Sequence, residues 1–338
     1  MKKSDFQFDL PSRLIAQYPG ERGKSKLFIL NRSSGKFEHK KFGDIIEHIK
    51  EGDCIVINDT KVIPARFYGF RESTGGKLEL LLIEKIKDKI WKVLISPGKK
   101  GRIGDVLILE DKIRCRVLDI IEKTGERIVI FEDDKDLLRF GNVPLPPYIK
   151  RNPTKEDYIR YQTIFAEKDG SIAAPTAGLH FDKEILAYLS QKGVYIATIT
   201  LHIGPGTFRP VKKDNIENHK IESERYEVNE KAANIINKAL NRGGEVFAVG
   251  TTTVRVLETI ADKDRSVSAK VGRTNLFIYP PYEFKIVDHL ITNFHLPAST
   301  LLMLVSAFAS RDLIIRAYET AISKGYKFYS YGDVMLIL

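Results

Sequence analysis

Cysteine is scarce in this 338-residue chain, and its two copies, Cys54 and Cys115, stand alone in apolar runs without a CxxC spacing. That excludes a disulfide framework and a paired-cysteine metal or redox centre, and it favours a reducing compartment. Long hydrophobic runs are also missing. The longest nearly uncharged stretch, 296–310, falls short of the ~20 residues that a membrane helix needs, so a buried helix is expected there and no membrane partner. No charged-then-apolar leader opens the chain, and cytoplasmic residence is expected. GxSxG, GxxxxGK[ST] and HExxH are all absent, which argues against serine-hydrolase, P-loop and zinc-protease chemistry. Five of the seven histidines (His180, His202, His219, His289 and His295) fall in the second half, but none has a carboxylate or second imidazole at ligand spacing. No metal is expected.

What is present is ordinary globular material with a basic surplus. Hydrophobic residues make up 43%, enough for a sizeable core in roughly two domains. Lys and Arg number 54 against 44 Asp and Glu, a net +10 that is compatible with a polyanion such as RNA; a solubility surplus on a Lys-rich surface would look the same.

Texture changes twice along the chain. An apolar strand over 54–57 ends in Asn58-Asp59-Thr60, after a helix expected over 42–50. From Arg66 to about 132, six β-rich runs at near ten-residue spacing alternate with glycine turns, the pattern of a small barrel or sandwich. Its most basic turn carries Lys99, Lys100 and Arg102. A proline-rich stretch over 142–153 then reads as a stiff connector. Beyond it helices (155–166, 183–191, 230–242, 253–262, 300–309, 313–324) alternate with strands (194–201, 245–249, 274–278, 286–291), which predicts an α/β sheet with helices on its faces. The expected organisation is a discontinuous α/β domain, residues 1–65 and 151–338, carrying an inserted six-stranded antiparallel β-barrel at 66–150.

Polar loops at strand ends mark the expected site, because open α/β sheets bind ligands beyond the carboxyl ends of their strands. Thr176, Gly178 and His180 belong to one such loop; His202 ends a strand in which Thr198 and Thr200 share its face; Gly204, Gly206, Thr207 and Arg209 follow at once. Thr251, Thr252 and Thr253 open a helix just after a strand, with Arg255 one turn in. Hydroxyls and free amides there suit an anion or a sugar, although threonines in that place also serve as plain caps. Asn293 and His295 alternate at another strand end.

Taken together, FDLPSRLIAQYP, INDTKVIPAR, PLPPYIKR, RYQTIFA, AAPTAGLHF, TLHIGPGTFRPV, AVGTTTVRVLE, ITNFHLPASTLLMLVSAFA and YGDVMLIL span nearly the whole chain. In that set and order the chain resembles the S-adenosylmethionine:tRNA ribosyltransferase-isomerases of the queuosine pathway. The resemblance implies an α/β domain with a six-stranded barrel. It also implies transfer and isomerisation of the ribosyl part of S-adenosylmethionine onto 7-aminomethyl-7-deazaguanine at the tRNA wobble position, giving epoxyqueuosine, adenine and methionine. S-adenosylmethionine would be a consumed cosubstrate, with no further cofactor, and the protein a monomer. Loss of adenine calls for a general acid and the carbon beside the sulfonium for a base. His180 and His202 are the expected proton carriers. The glycines and threonines named above, with Asn58, Asp59, Arg66, Asn293 and His295, would line the substrate pocket. Arg209, Arg255 and the loop of Lys99, Lys100 and Arg102 would meet carboxylate or phosphate. Three departures from the family pattern are visible: Glu222 where a second histidine is usual, Lys61 for arginine, and Pro281 for glycine. A non-catalytic tRNA-binding protein is the rival from another class, and a metal-dependent hydrolase the second.

Overall fold

A computed structural model describes residues 1–208, 211 and 213–338. The chain enters with β1 (Lys26–Asn31), β2 (Lys36–Lys41), β3 (Cys54–Asn58) and the short β4 (Thr60–Val62). Six strands follow without an intervening α-helix: β5 (Arg66–Arg71), β6 (Lys77–Lys87), β7 (Ile90–Ser96), β8 (Val106–Leu109), β9 (Ile113–Ile121) and β10 (Glu126–Phe131). They close into an antiparallel barrel in the order β10-β7-β6-β5-β8-β9. Its alternating inward side chains, among them Phe67, Leu80, Leu82, Val93 and Leu107, are fully buried, so the barrel has a core of its own.

After the proline-rich stretch come α1 (Lys155–Arg160), β11 (Lys168–Ser171), α2 (Lys183–Gln191), β12 (Tyr195–Leu201), β13 (Glu224–Val228) and α3 (Glu230–Leu240). The chain finishes with β14 (Val246–Val249), α4 (Thr251–Ile260), β15 (Lys270–Thr274), β16 (His289–Asn293), α5 (Thr300–Ala309), α6 (Arg311–Ser323) and β17 (Val334–Ile337). Nine strands form one mixed sheet, β15-β13-β12-β3-β14-β16-β17-β1-β2, so the chain has the expected α/β class with an inserted barrel. At its centre β12, β3, β14 and β16 run parallel, and their side chains alternate strictly between two cores. Cys54 and Val56 of β3 join Val246 and Ala248 on one face, while Ile55 and Ile57 join Phe247 and Val249 on the other. Burial on both faces explains the unbroken apolar runs of these strands.

Several boundaries differ from expectation for local reasons. The helix expected over 155–166 ends at Arg160, where Tyr161 turns into the core and is 1% exposed. The strand expected over 286–291 begins only at His289: the amides of Lys285, Ile286 and Val287 bond instead to the buried Glu258 carboxylate, at 2.9, 3.2 and 3.3 Å. The strand expected over 274–278 is displaced to Lys270–Thr274, and residues 42–47 form a 3-10 turn rather than an α-helix.

Candidate active site at the carboxyl ends of the sheet

Four parallel strands deliver four loops to one end of the sheet, and a cleft of about 350 Å³ opens there. That volume lies within the range of small-molecule sites. Thr251 and Thr252 contribute one wall, Thr292 to Leu296 a second, and Ala173 to Ala177 with Ile203 a third. Pro147 and Tyr148 of the connector, with Tyr329 and Ser330, supply the last. Tyr148 and Tyr329 stack with centroids 4.3 Å apart, and the Tyr148 hydroxyl meets Ser330 Oγ at 2.5 Å. A flat aromatic pair beside polar groups suits a purine face.

α4, like α6, starts without a side-chain cap. Asp182, Asn229 and Ser299 cap α2, α3 and α5 with side-chain oxygens, whereas α4 begins at Gly250, whose φ of +90° favours glycine and which has no side chain to offer. Among the described residues the Thr251 and Thr252 amides have no acceptor, and Thr252 Oγ1 is buried without a partner. Free amides at the positive end of a helix dipole form a natural carboxylate seat. Thr253, by contrast, turns its hydroxyl back to the Val249 carbonyl at 2.8 Å and lies outside the cleft.

Three histidines occupy unlike surroundings. His180 is 4% exposed, with Nδ1 2.8 Å from Ser25 Oγ and Nε2 3.0 Å from Asn293 Nδ2; burial, with Arg22 nearby, pushes its pKa down to about 3. Both nitrogens are engaged, and the ring, expected as a proton carrier, does not line the cleft. His295 does line the cleft, with Nε2 2.8 Å from Thr292 Oγ1 and Nδ1 without a partner among the described residues; burial pushes its pKa to about 3 as well. His202 stands beside the cleft rather than in it. Its Nδ1 meets Thr60 Oγ1 at 2.9 Å, and its ring packs so closely on Gly170 that an added Cβ there would lie 2.8 Å from it. Burial, then Arg225 and Lys168, lower its pKa, while Nε2 has no partner among the described residues.

Several other expected ligands are spent inside the fold. Asn58 bonds through its side chain to both the amide and carbonyl of Leu201 and to the Thr60 amide, tying β3 to β12. Asp59 accepts from Thr200 Oγ1 at 2.6 Å, and burial raises its pKa. Arg66 pairs with Glu79 and the Leu145 carbonyl at the base of the barrel. Arg255 is buried against Glu224, which in turn accepts from the Gly204 amide at 2.9 Å. Gly178 is covered by Phe165 and Thr163. Gly206 belongs to a separate crevice of about 20 Å³, shared with Glu222 and Arg255, room for about one water. None of these lines the cleft; Thr176, Thr251, Thr252, Asn293 and His295 do. Thr207 sits in the turn Pro205–Phe208, and Arg209 lies outside the described residues. On the barrel, Lys99 and Arg102 are exposed while Lys100 donates to the Lys77 carbonyl at 2.6 Å. No cluster among the described residues could hold a metal. Tyr148, Tyr329 and Ser330 were not expected at the site; a tyrosine inside a proline-rich run was the available signal, hidden by reading that run only as a spacer.

The sequence profile of the queuosine biosynthesis protein family matches residues 3–337. The chain belongs to that family. A relative from Acetivibrio thermocellus, named S-adenosylmethionine:tRNA ribosyltransferase-isomerase, is 50% identical over the full length of both chains. One of the same name from Thermoanaerobacter sp. is 49% identical, again over the whole of each. A solved structure, an S-adenosylmethionine tRNA ribosyltransferase from Thermotoga maritima, shares 39% identity with a TM-score of 0.57, covering 99% of this chain and 100% of its own. As a member of the queuosine family the chain is an enzyme of the transferase-isomerase kind. Two of its departures are now placed: Glu222 borders the small crevice rather than the cleft, and Lys61 forms an exposed pair with Asp169 at 3.4 Å.

Proposed function

We propose that this enzyme moves the ribosyl part of S-adenosylmethionine onto 7-aminomethyl-7-deazaguanine at the wobble position of tRNA and isomerises it, forming epoxyqueuosine and releasing adenine and methionine. The observation that carries the reading is the cleft itself. At one place it offers an uncapped helix start, unpartnered oxygens of Thr252 and Asn293, an imidazole and a stacked tyrosine pair. In this reading the α4 amides and Thr252 hold the methionine carboxylate, and Tyr148 with Tyr329 packs against adenine.

Two protons have to move. The sulfonium acidifies the adjacent ribose CH₂, which needs a base, and adenine departs only when a ring nitrogen is protonated. His295, whose Nδ1 is free at the cleft, takes one of these tasks. His202, with Nε2 open beside the loop that enters the cleft, is the second carrier. Burial lowers both pKa values, so both imidazoles are neutral at pH 7 and weak bases: the accepting form is present, and an imidazolium once formed gives its proton up readily. S-adenosylmethionine is consumed, so no separate cofactor is invoked. Lys99 and Arg102 project from the barrel as phosphate contacts, and the protein acts as a cytoplasmic monomer.

Adenine release tests the reading. Enzyme, S-adenosylmethionine and tRNA bearing the deazaguanine precursor should yield adenine and methionine, and matched tRNA without the precursor should not. Tight tRNA binding with no adenine under any condition would replace this reading with that of a binding protein.

A further inference from the structure

The protonation state of His180 is dictated by its neighbours. A backbone carbonyl can only accept, so the Asn293 side-chain atom 3.1 Å from the Tyr329 oxygen must be the amide nitrogen. That same Nδ2 lies 3.0 Å from His180 Nε2, and its second hydrogen points there. Nε2 must therefore be bare, and the one ring proton sits on Nδ1, donated to Ser25 Oγ at 2.8 Å. Protonating Nε2 would set two N–H groups against each other. The facing charged group is Arg22, whose guanidinium bonds to the Leu179 carbonyl at 2.8 Å and disfavours an imidazolium further; Asp182 acts on Arg22 from the start of α2. With its nitrogen fixed from two sides, Asn293, a residue of the cleft wall that is 2% exposed, keeps a buried Oδ1 without a partner among the described residues.

We propose that His180 is a positioning residue: as the Nδ1–H tautomer it holds the Asn293 amide so that Oδ1 accepts a hydrogen bond from an N–H or O–H of the nucleoside in the cleft. The ligand's identity rests on the ribosyl-transfer reading; the tautomer does not. A buried acceptor without a protein partner is a selective device, because ligands lacking the donor leave it unpaired.

Histidine-selective ¹⁵N NMR of the wild-type protein decides the first half. His180 should show a protonated Nδ1 and bare Nε2 at pH 7, with no titration between pH 8 and pH 5; an Nε2–H tautomer or a midpoint in that range overturns the proposal. Kinetics decides the second. His180→Leu should raise the KM for S-adenosylmethionine about tenfold, and His180→Gln, whose side-chain oxygen can again accept from Asn293, should bring it most of the way back. A fall in kcat of about a hundredfold or more in both variants, with KM unchanged, would make His180 a proton carrier instead. Titrations of adenosine, its 2′- and 3′-deoxy forms and purine riboside into wild-type and Asn293→Leu protein identify the donor. The analogue indifferent to the substitution is the one that has lost it, and indifference of all four would refute the contact. Should wild-type protein release no adenine at all, the functional reading falls while the NMR result still rules on His180.

Discussion

Arg255→Met separates two uses of a cation that sequence alone leaves open. As a substrate ligand, Arg255 would hold a carboxylate in the cleft; in the structure it is 4% exposed on α4 and paired with Glu224, 5% exposed, at the start of β13. The guanidinium also donates to the Leu276 carbonyl at 3.0 Å, and Glu224 anchors the Gly204 amide. Removing one partner of a buried pair leaves the other charge uncompensated, a loss of about 3–5 kcal/mol. At roughly 2–4 °C per kcal/mol for a domain of this class, the melting temperature should fall by about 10 °C. Replacing both partners, as Arg255→Met with Glu224→Leu, should recover much of that loss, since apolar isosteres of buried pairs are often neutral; the shortfall should be about 1 kcal/mol for the Gly204 amide. Differential scanning calorimetry of the two single variants and the double variant closes the cycle. If Arg255→Met melted within a degree or two of wild type while S-adenosylmethionine affinity dropped tenfold, Arg255 would be a ligand contact and the structural account wrong.

The adjacent threonines give a second contrast. Thr252→Val removes an unpartnered hydroxyl from the cleft and should raise the KM for S-adenosylmethionine with little change in melting temperature; Thr253→Val removes the bond to Val249 and should cost stability of about 1 kcal/mol with KM nearly intact. The reverse pattern in paired melts and kinetics would show that α4 starts elsewhere. Acid stability gives a third. Burial pushes the Asp157 carboxyl up, but Arg151, Thr154 and Tyr331 together outweigh it and hold the pKa well below the ordinary carboxylate range. Its folded pKa thus lies below the unfolded value near 3.9, so its stabilisation is full above that value and lost as pH falls through the folded one. Asp157→Asn should therefore melt lower than wild type at pH 7, with the gap narrowing below about pH 4; a gap independent of pH would remove the carboxylate from the account.

Periodicity carried the central sheet and the barrel because burial on both faces, or strict alternation, writes itself into residue order. It failed where side chains replaced backbone partners. Residues 286 and 287 read as strand, and only the fold shows Glu258 taking their amides with that of Lys285. β2, with its six residues Lys-Phe-Glu-His-Lys-Lys on the sheet edge, has too little apolar patterning to be found. Of the strand-end residues, Thr251, Thr252, Asn293 and His295 line the cleft, but nothing in the residue types tells Thr252 from Thr253 or His295 from His180. Those distinctions depend on which neighbour each side chain meets. Asn58 and Arg255, expected as ligands, meet protein partners for the same reason: a polar residue near a strand end or helix start serves a ligand or the fold equally well, and the sequence around it is the same.

How the barrel bears on the cleft follows from the way it is inserted. It leaves the α/β domain after β4 and returns before β11, and these two strands pair in parallel. Arg66 and Asn142, at the two ends of the insertion, exchange backbone hydrogen bonds of 3.0 and 2.7 Å. Entry and exit are thus one doubled stem rather than two separate tethers, and Glu84 of β6 adds a second contact, pairing with Arg273 of β15 at 2.9 Å. From that stem the connector runs over the sheet end, where the Gln17 side-chain amide grips it like a strand partner, donating to the Tyr148 carbonyl at 3.0 Å and accepting from the Lys150 amide at 2.8 Å. Arg151 then locks it to Asp157 on α1. Held at both places, the connector presents Tyr148 to the stack with Tyr329. One wall of the cleft is therefore built from the segment that carries the barrel.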